Sequence, residues 1–288
     1  MSSTDNQAYI HQFSDDLRDL VEQSYSKTRP AVSIEMAKGE KHFFNRLGSL
    51  EVSGRTGRNE AIDLTDAAHS RRMATLGFYD LATTLDPIDN LQRSLELTSP
   101  YARKHASAHG RNLDDVVIAA ALGTAATGQT GSATQSFDSN NQVAHGDVGF
   151  TVAKFNAAMQ KLEAGEVDVE NEAMVLMLGS KGVQDLMGES NFVSFDYNDS
   201  KPLTGRSLPS FRGVNIIRTQ RVPDETSGTT FRGLLMTADT IKVAMAQDIK
   251  VTVTNRNDLK GNPLQIYTEM AFGAVRMEEA TIVDALYQ

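Results

Sequence analysis

Residues 98–128 read TSPYARKHASAHGRNLDDVVIAAALGTAATG and predict the longest helix of the chain. Thr98 is a residue type that favours the position before a helix, and Pro100 is tolerated in the first turn. Gly110 is expected to bend or interrupt the helix, which should run to about Ala126. Its second half carries a stripe at i, i+3 and i+4 spacing, typical of one buried face. The stripe comprises Leu113, Val116, Val117, Ala120, Ala121 and Thr124.

Two different segments precede this helix. Residues 1–30 are polar, with an amphipathic stretch that ends at Arg29-Pro30, which predicts an arm carrying one short helix. Residues 31–72 are rich in charge and glycine and contain few apolar side chains, which predicts a long hairpin outside the core. The hairpin strands are expected at Lys38–Leu47 and Leu50–Leu64. A further single strand is expected from Met73 to Leu85.

The segment after the helix mixes strands with short helices. Residues 127–149 are rich in glycine, serine, asparagine and glutamine and predict a flexible link between subdomains. Thr151 and Ser180 are expected to cap two helices on either side of a buried strand at Ala173–Leu178. Further strands are expected at residues 213–217, 231–237, 250–254, 264–272 and 281–285, with one or two helical turns at Asp239–Met245. Because strands and helices do not alternate steadily, the fold class is α+β.

Composition excludes several classes of protein and site. The 288 residues contain no cysteine, which excludes disulfides, thiolate metal sites and a cysteine nucleophile. The formal net charge is -9, so the global basic excess of a nucleic-acid-binding protein is missing. No apolar run approaches the roughly 20 residues of a membrane span, and no secretory signal is visible. The protein is therefore expected to be made and folded in the cytoplasm.

Four patterns resemble parts of catalytic sites, and each has a simpler interpretation. His105 and His109 share one helix face, but the metalloprotease glutamate is replaced by Ala106. Asp114-Asp115 are interpreted as complementing a helix dipole. The glycines between residues 123 and 131 follow a helix and lack a phosphate-binding motif, and Ser180-Lys181 lacks the spacing of a serine–lysine dyad. No catalytic, cofactor or metal residue is therefore expected.

The order of the segments resembles the major capsid proteins of tailed bacteriophages, the Hong Kong 97 type. Residues 101–128 are similar to the spine helix of that family and its exit, and residues 155–178 resemble the entry to its axial domain. Ser207 to Val214, followed by the strand that ends at Arg221-Val222-Pro223, looks like a loop–strand passage of the family. Ala271 to Arg276 with Glu279 to Val283 resembles its closing strand. The resemblance covers nearly the whole chain, and its strength comes from the order of the segments.

The resemblance implies a domain organisation and a structural function. It implies an N-terminal arm at 1–30, an extension loop at 31–72, a peripheral domain with the spine helix at 73–149, an axial domain at 150–225 and a return to the peripheral domain at 226–288. Such a subunit assembles with itself into hexamers and pentamers of an icosahedral head that encloses double-stranded DNA without sequence preference. The expected location is the virion. An encapsulin-like nanocompartment shell and an uncharacterised cytoplasmic enzyme remain alternatives.

The resemblance also implies partners and contact residues. A separate scaffolding protein is expected because only about 30 residues precede the hairpin, and portal and decoration proteins are further expected partners, with no membrane. Lys38 and Lys41 are candidates for the lysine that some family members crosslink to an asparagine, although no convincing partner asparagine is visible. The expected intersubunit contact residues are Lys38, Lys41, Phe43, Phe44, Arg46, Arg55 and Arg58.

Overall fold

A computed structural model describes residues 23–54, 57–58, 64–86, 98–189 and 210–288, with the side chains of Thr98 and Ser99 excepted. The helices in this part of the chain are α1 (Thr98–Leu122), α2 (Val152–Ala164) and α3 (Ser180–Gly188). Its strands are β1 (Ser33–Met36), β2 (Lys41–Leu47), β3 (His69–Thr75), β4 (Gly77–Leu85), β5 (Ala125–Thr127), β6 (Ala133–Gln135), β7 (Gln142–Val143), β8 (Met174–Leu178), β9 (Asn215–Arg218), β10 (Phe231–Thr237), β11 (Ile241–Asn255), β12 (Leu264–Arg276) and β13 (Ile282–Tyr287). Short 3-10 turns lie at Arg29–Ala31 and Ser139–Asn141.

A four-stranded sheet supports the long helix. Its order is β1-β11-β12-β4, with β12 antiparallel to both neighbours and β1 parallel to β11. The predicted apolar stripe of α1 faces this sheet, where Val117 is fully buried and Leu113 and Ala121 are each 1% exposed. They pack with Val243 and Phe272 of the sheet. Helix and sheet therefore form one layered unit with a continuous apolar interface.

A five-stranded sheet forms the second unit, in the order β7-β13-β10-β8-β9. Every residue of β8 and β13 is buried, because both faces of this sheet are covered. Helices α2 and α3 cover one face through Phe155, Leu162 and Leu186, which pack with Val283 and other sheet residues. Residues on the other face, including Leu234, join the same apolar cluster as α1. The two units therefore share a core.

A smaller four-stranded sheet, in the order β2-β3-β5-β6, lies beside the first. Its core side chains Phe44 and Ala74 pack with Val275 and Ala244 of the long strands β11 and β12. The chain passes from β3 to β4 directly over Gly273, where a Cβ atom would lie 2.1 Å from the Thr75 carbonyl oxygen. Only glycine permits this approach, so the junction between the two sheets depends on it.

Several local predictions are confirmed within the described residues. The long helix is present from 98, and strands occur where β8, β9, β10 and β13 were expected. The helix ends at Leu122 and not near Ala126, because Ala125 begins β5, so Thr124 is outside the buried stripe. The Thr151 side chain accepts a hydrogen bond from the Lys154 backbone N–H at 3.3 Å and caps α2 as expected. The expected interruption at Gly110 is wrong, because α1 continues through this residue.

Other local predictions are wrong for identifiable reasons. Residues 239–245 form no helix. Asp239 and Thr240 lie in the turn after β10, and β11 begins at Ile241, because Ile241 and Val243 are β-branched and fully buried. Ser180 lies inside α3 and makes no capping bond, since Gly179 occupies the position before the helix. The expected single strand at 73–85 is two strands in two different sheets. The expected link at 127–149 contains β6, β7 and a 3-10 turn.

The C-terminal range also differs from expectation. Residues 226–288 were expected to return as a whole to the domain of the long helix. Instead β11 and β12 join the sheet under α1, while β10 and β13 are central strands of the five-stranded sheet. Each sheet is thus built from distant segments, which no local pattern reveals. Within the described ranges, no helix is both long enough and apolar enough to cross a membrane.

Candidate assembly interface

The charged hairpin is formed by β2 and β3, which pair antiparallel from Lys41 opposite Thr75 to Leu47 opposite His69. The second strand was expected at 50–64, and that prediction is wrong. Gly48 donates its backbone N–H to the Ala68 carbonyl oxygen at 2.8 Å, so the strands close at this point. The described residues 49–54, 57–58 and 64–67 therefore lie beyond the paired strands and belong to neither of them.

One face of the hairpin packs against the body of its own chain. Phe44 is 3% exposed, and the Lys242 ammonium lies 5.5 Å from its ring centroid. The interpretation of Phe44 as an intersubunit contact is wrong, because its own chain already covers the ring. Next to it, Arg72 is 6% exposed and donates to the Met277 carbonyl oxygen at 3.1 Å. Burial lowers the pKa of Arg72 from its ordinary value, against the opposing charge of Glu279.

The opposite face of the hairpin is open, because side chains alternate along the strands. Lys41, Asn45 and Leu47 are exposed, and Phe43 is half-buried. This face therefore keeps Lys41 and Phe43 available for contact with another molecule.

The other expected contact residues have different surroundings. Lys38 and Arg58 are exposed. Arg46 lies on the inner side, where its Nε donates to Glu278 Oε1 at 3.1 Å. Arg55 lies outside the described residues. Whether any of these side chains touches a second subunit stays a prediction.

Asp114, in the middle of α1, holds the segment that precedes the hairpin. It is fully buried, and its carboxylate accepts five hydrogen bonds from residues 23–28. The donors are Gln23 Nε2, Ser26 Oγ, Lys27 N, Thr28 N and Thr28 Oγ1. The interpretation of Asp114 as a first-turn acid that complements the helix dipole is wrong, because the residue lies four turns inside the helix. Asp115 instead forms a surface ion pair with Arg221 at 2.7 Å.

The same segment crosses α1 at Gly110. A Cβ atom at this position would lie 2.9 Å from the Ser26 backbone nitrogen, so a larger residue would displace the segment. One turn earlier in the helix, Ser107 Oγ donates to the Ser24 carbonyl oxygen at 3.3 Å. Gly110 and Asp114, four residues apart on one helix face, thus form the contact surface for residues 23–28.

Arg276 holds the C-terminal end of α1. It is fully buried at the end of β12, and its Nη1 donates to the carbonyl oxygens of Ala121 at 2.6 Å and Gly123 at 2.7 Å. These bonds satisfy carbonyl groups that the end of a helix leaves without partners. Glu279 balances the charge through an ion pair at 2.7 Å, and the guanidinium lies 5.5 Å from the Phe137 ring centroid. Arg276 therefore joins helix, sheet and the chain that leaves the helix.

His105 and His109 are packing residues between α1 and the sheet. They are 3% and 4% exposed, and His105 Nδ1 and His109 Nε2 lie 3.1 and 3.0 Å from the same Thr268 hydroxyl. His105 Nε2 lies 2.6 Å from the Thr83 hydroxyl. Burial lowers the pKa of both imidazoles, and the mutual charge effect of His109 lowers that of His105 further. Both rings are suited to this interface in the neutral form.

Two further buried charged side chains were missed by the sequence analysis. Asp284 on β13 is fully buried and is contacted by Arg232 at 2.9 Å and Gln142 at 3.0 Å; burial raises the pKa of its carboxyl group. The Lys154 ammonium donates to the carbonyl oxygens of His145, Val148 and Leu286, and burial lowers its pKa. Both tie the C-terminal strand to its neighbours. Among the residues that the structure describes, no group of three acidic or histidine side chains is arranged to hold a metal ion.

A family model described as phage capsid protein matches residues 6–288. The chain belongs to the phage capsid protein family. Solved structures agree on the fold at low identity, and the Pam1 cyanophage capsid is 13% identical with a TM-score of 0.76, covering 98% of this chain and 97% of that one. The acidic stable capsid of Helicobacter pylori bacteriophage KHP30 is 10% identical with a TM-score of 0.75, covering 100% and 98%. No curated protein sequence matches the chain.

A third capsid structure, that of cyanophage P-SCSP1u, has a TM-score of 0.73 at 11% identity and covers 98% of this chain and 93% of that one. The fold is therefore the Hong Kong 97 type, and the chain is a phage major capsid protein. We call α1 the spine helix and the β2–β3 hairpin with its loop the extension loop, after the parts of the family's subunit that they resemble.

Proposed function

We propose that copies of this capsid protein assemble into hexamers and pentamers, which close into an icosahedral head around double-stranded DNA. The observation that carries the proposal is the exposed apolar surface of the extension loop. Val52 is 98% exposed and Leu64 is 92% exposed, and Leu50 is 58% exposed. Several large apolar side chains exposed in one segment are typical of a surface that another molecule covers. A neighbouring subunit supplies that cover in a closed shell.

The contacts within the subunit support a rigid building block. Asp114 holds residues 23–28 against the middle of the spine helix, and Arg276 holds its C-terminal end. Gly273 lets the two four-stranded sheets meet closely. A subunit with fixed geometry presents its contact surfaces at constant angles, which closed symmetry requires. Many modest contacts then act together, because each subunit is held by several neighbours at once.

Sheet membership supports revised domain boundaries. We assign β2, β3, β5 and β6 to the extension loop and its base. The peripheral domain comprises β1, β4, α1, β11 and β12. The axial domain comprises the strands β7, β8, β9, β10 and β13 with the helices α2 and α3. Each domain then has one sheet, and the sheets of the peripheral and axial domains meet in a shared apolar cluster.

The remaining partners follow from the same function. A separate scaffolding protein and a portal protein take part in assembly in the host cytoplasm, and decoration proteins bind the finished head. The enclosed DNA contacts the shell without sequence preference, since the chain carries a formal net charge of -9. The role is structural and involves no catalysis. The free subunit should therefore bind duplex weakly, and submicromolar binding of one sequence at physiological salt would contradict the container function.

Sedimentation velocity tests the self-assembly directly. The purified protein is examined over a range of concentrations and salt, alone and after co-expression with the scaffolding protein of the same phage. We expect capsomers and larger closed particles in addition to the monomer. A strictly monomeric profile under all of these conditions would contradict the proposal.

A further inference from the structure

The open face of the extension sheet is basic. We define the basic face as the side chains of β2 and β3 that point away from the subunit core. It comprises Lys41, Phe43, Asn45, Leu47, His69, Arg71, Met73 and Thr75. None of these residues is acidic, although the whole chain carries 37 acidic and 28 basic residues. The face therefore has the opposite charge to the average surface of the protein.

A cleft of about 750 Å³ opens at the far end of the basic face. It is lined by Asn45, His69, Arg71 and the turn at Thr127–Gln129, among others, and by no acidic residue. Arg71 is held in position by neutral groups, because its Nε donates to Asn45 Oδ1 at 3.0 Å and its carbonyl oxygen accepts from Thr127 Oγ1 at 2.9 Å. Neither Arg71 nor Lys41 forms an ion pair within the described residues. Both charges are available to an acidic partner.

The same chain contains a segment of matching charge at the end of α2. We define the acidic turn as residues 163–172, which read EAGEVDVENE and contain five acidic residues and no basic one. The exposed carboxylates of Glu166, Glu170 and Glu172 form no ion pair with the described residues. Asp168 shapes the turn by accepting from the Asn171 side chain at 2.8 Å and from two backbone N–H groups, which lowers its pKa. The hydrogen bonds to Asp168 therefore hold the backbone that carries the exposed carboxylates of Glu166, Glu170 and Glu172.

The acidic turn lies beside the end of its own hairpin. Gly165, Glu166, Asp168 and Glu172 line a groove with Asn45, Arg46 and Leu47 of β2. Lys41 and Arg71 do not line this groove, and no ion pair joins them to the acidic turn within the described residues, so these two charges do not meet the turn of their own chain. Complementary patches at different positions of one chain are what a head-to-tail contact between copies requires, and such contacts close into rings.

We propose that the basic face of one subunit receives the acidic turn of the next subunit around a capsomer. Arg71 and Lys41 then pair with carboxylates of the turn, and Phe43, Leu47 and Met73 supply apolar cover beside them. The proposal rests on the self-assembly described above and names the two surfaces that carry it. Duplex DNA fits the face less well. Lys41 and Arg71 are the two lysine or arginine side chains of the face, so few phosphate contacts are possible, and the chain as a whole is acidic.

Charge reversal tests the pairing. Arg71→Glu places a negative charge opposite the carboxylates of the acidic turn, and Glu170→Lys places a positive charge opposite the basic face. Repulsion replaces attraction in both, so each variant should raise the protein concentration needed for assembly about tenfold. Combining both changes in one chain restores opposite charges and should bring that concentration back to within about twofold of wild type. Lys260→Glu is the matched control for charge, since Lys260 is exposed in the β11–β12 turn and lies on neither surface. It should assemble like wild type.

Crosslinking tests proximity without changing any charge, because the natural chain has no cysteine. Gln129→Cys places one thiol at the cleft of the basic face, and Ala164→Cys places one in the acidic turn; both positions are exposed. Subunits carrying one substitution each are mixed, assembled and oxidised. We expect disulfide-linked dimers that contain one subunit of each kind. Lys181→Cys on α3 replaces Ala164→Cys in the control mixture and should give none.

The outcomes separate this pairing from self-assembly in general. Rescue by the double variant together with mixed crosslinks supports the pairing. If all variants assemble like wild type and no mixed crosslink forms, the pairing is wrong although shells still form. If wild type itself fails to assemble under every condition, self-assembly is wrong and the pairing with it. If Arg71→Glu lowers duplex binding and leaves assembly unchanged, the face contacts nucleic acid and the pairing is wrong.

Discussion

The Asp114 carboxylate accepts two hydrogen bonds from Thr28, one from the backbone N–H at 3.0 Å and one from the hydroxyl at 2.8 Å. Both residues are fully buried, although 86 positions separate them in the sequence. No basic side chain pairs with the carboxylate in the described structure, so neutral donors alone balance its charge. Such a site has a strong requirement for an acceptor, because the donors lose their partners when it is removed.

Asp114→Asn should destabilise the subunit by about 3 kcal/mol or more, because an amide turns N–H groups toward donors in a buried site. The free energy of unfolding from urea titration measures the effect. Residues 23–28 should also become more sensitive to limited proteolysis. Asp115→Asn is the control, since its ion pair with Arg221 is partly exposed and should contribute no more than about 1 kcal/mol. Equal stability of the two variants would contradict the role of Asp114.

Val117→Asp should give insoluble protein or lose several kcal/mol of stability, because it places an unpaired charge in the buried face of the spine helix. Ala119→Asp is the matched control on the exposed face of the same helix. It should fold with a loss of about 1 kcal/mol or less. Soluble expression and the urea midpoint distinguish the two. A normally folded Val117→Asp variant would show that this face is not the core.

The paired histidines predict a loss of stability in acid. Burial lowers the folded pKa of His105 and His109, so protons bind the unfolded chain more tightly than the folded one. Their contribution to stability is fully present above the unfolded pKa of about 6.5 and is lost as pH falls below it. The negative charge of Asp80 partly opposes this shift at His109. Urea titration at pH 8 and pH 5 should show a smaller decrease for His105→Gln than for wild type; an identical decrease would contradict the assignment.

Replacing residues 49–67 with a short glycine-serine turn should leave a folded, soluble subunit with a near-native melting temperature. The new turn joins β2 to β3 where Gly48 already bonds to Ala68, so the sheet and Phe44 are kept. Stable shells should not form, because the exposed apolar loop is gone. A longer deletion that also removes Lys41–Leu47 should unfold the subunit, since Phe44 is core. Normal shell formation by the short deletion would exclude the loop as an intersubunit contact.

Local patterns in the sequence were sufficient to predict the spine helix, the capped helix α2 and the buried strand β8, because each depends on residues near one another in the chain. They did not predict which strands share a sheet. The position of β10 and β13 in one sheet with β11 and β12 in another depends on contacts between distant segments. The family resemblance supplied the overall architecture, since it compares the whole order of segments rather than one of them.

The buried polar residues were the hardest to predict. Asp114 resembles any helix acid in sequence, and Arg276 resembles any strand-end cation. Their roles depend on donors and acceptors that lie far away in the chain. The charged surroundings of Phe43 and Phe44 predict an interface for both residues, yet alternation along β2 places Phe44 inside and Phe43 outside. An alternation test on the hairpin would have separated the two.

Electron microscopy of the purified protein, co-expressed with its scaffolding protein, tests the central claim most directly. We expect closed particles of uniform diameter in which rings of five and six subunits are visible. The spine helix and the extension hairpin should fit the density of every subunit, with the loop at 49–67 lying over a neighbour. Fully folded protein that forms only monomers or irregular aggregates in the same preparation would contradict the identification of this chain as a self-assembling shell subunit.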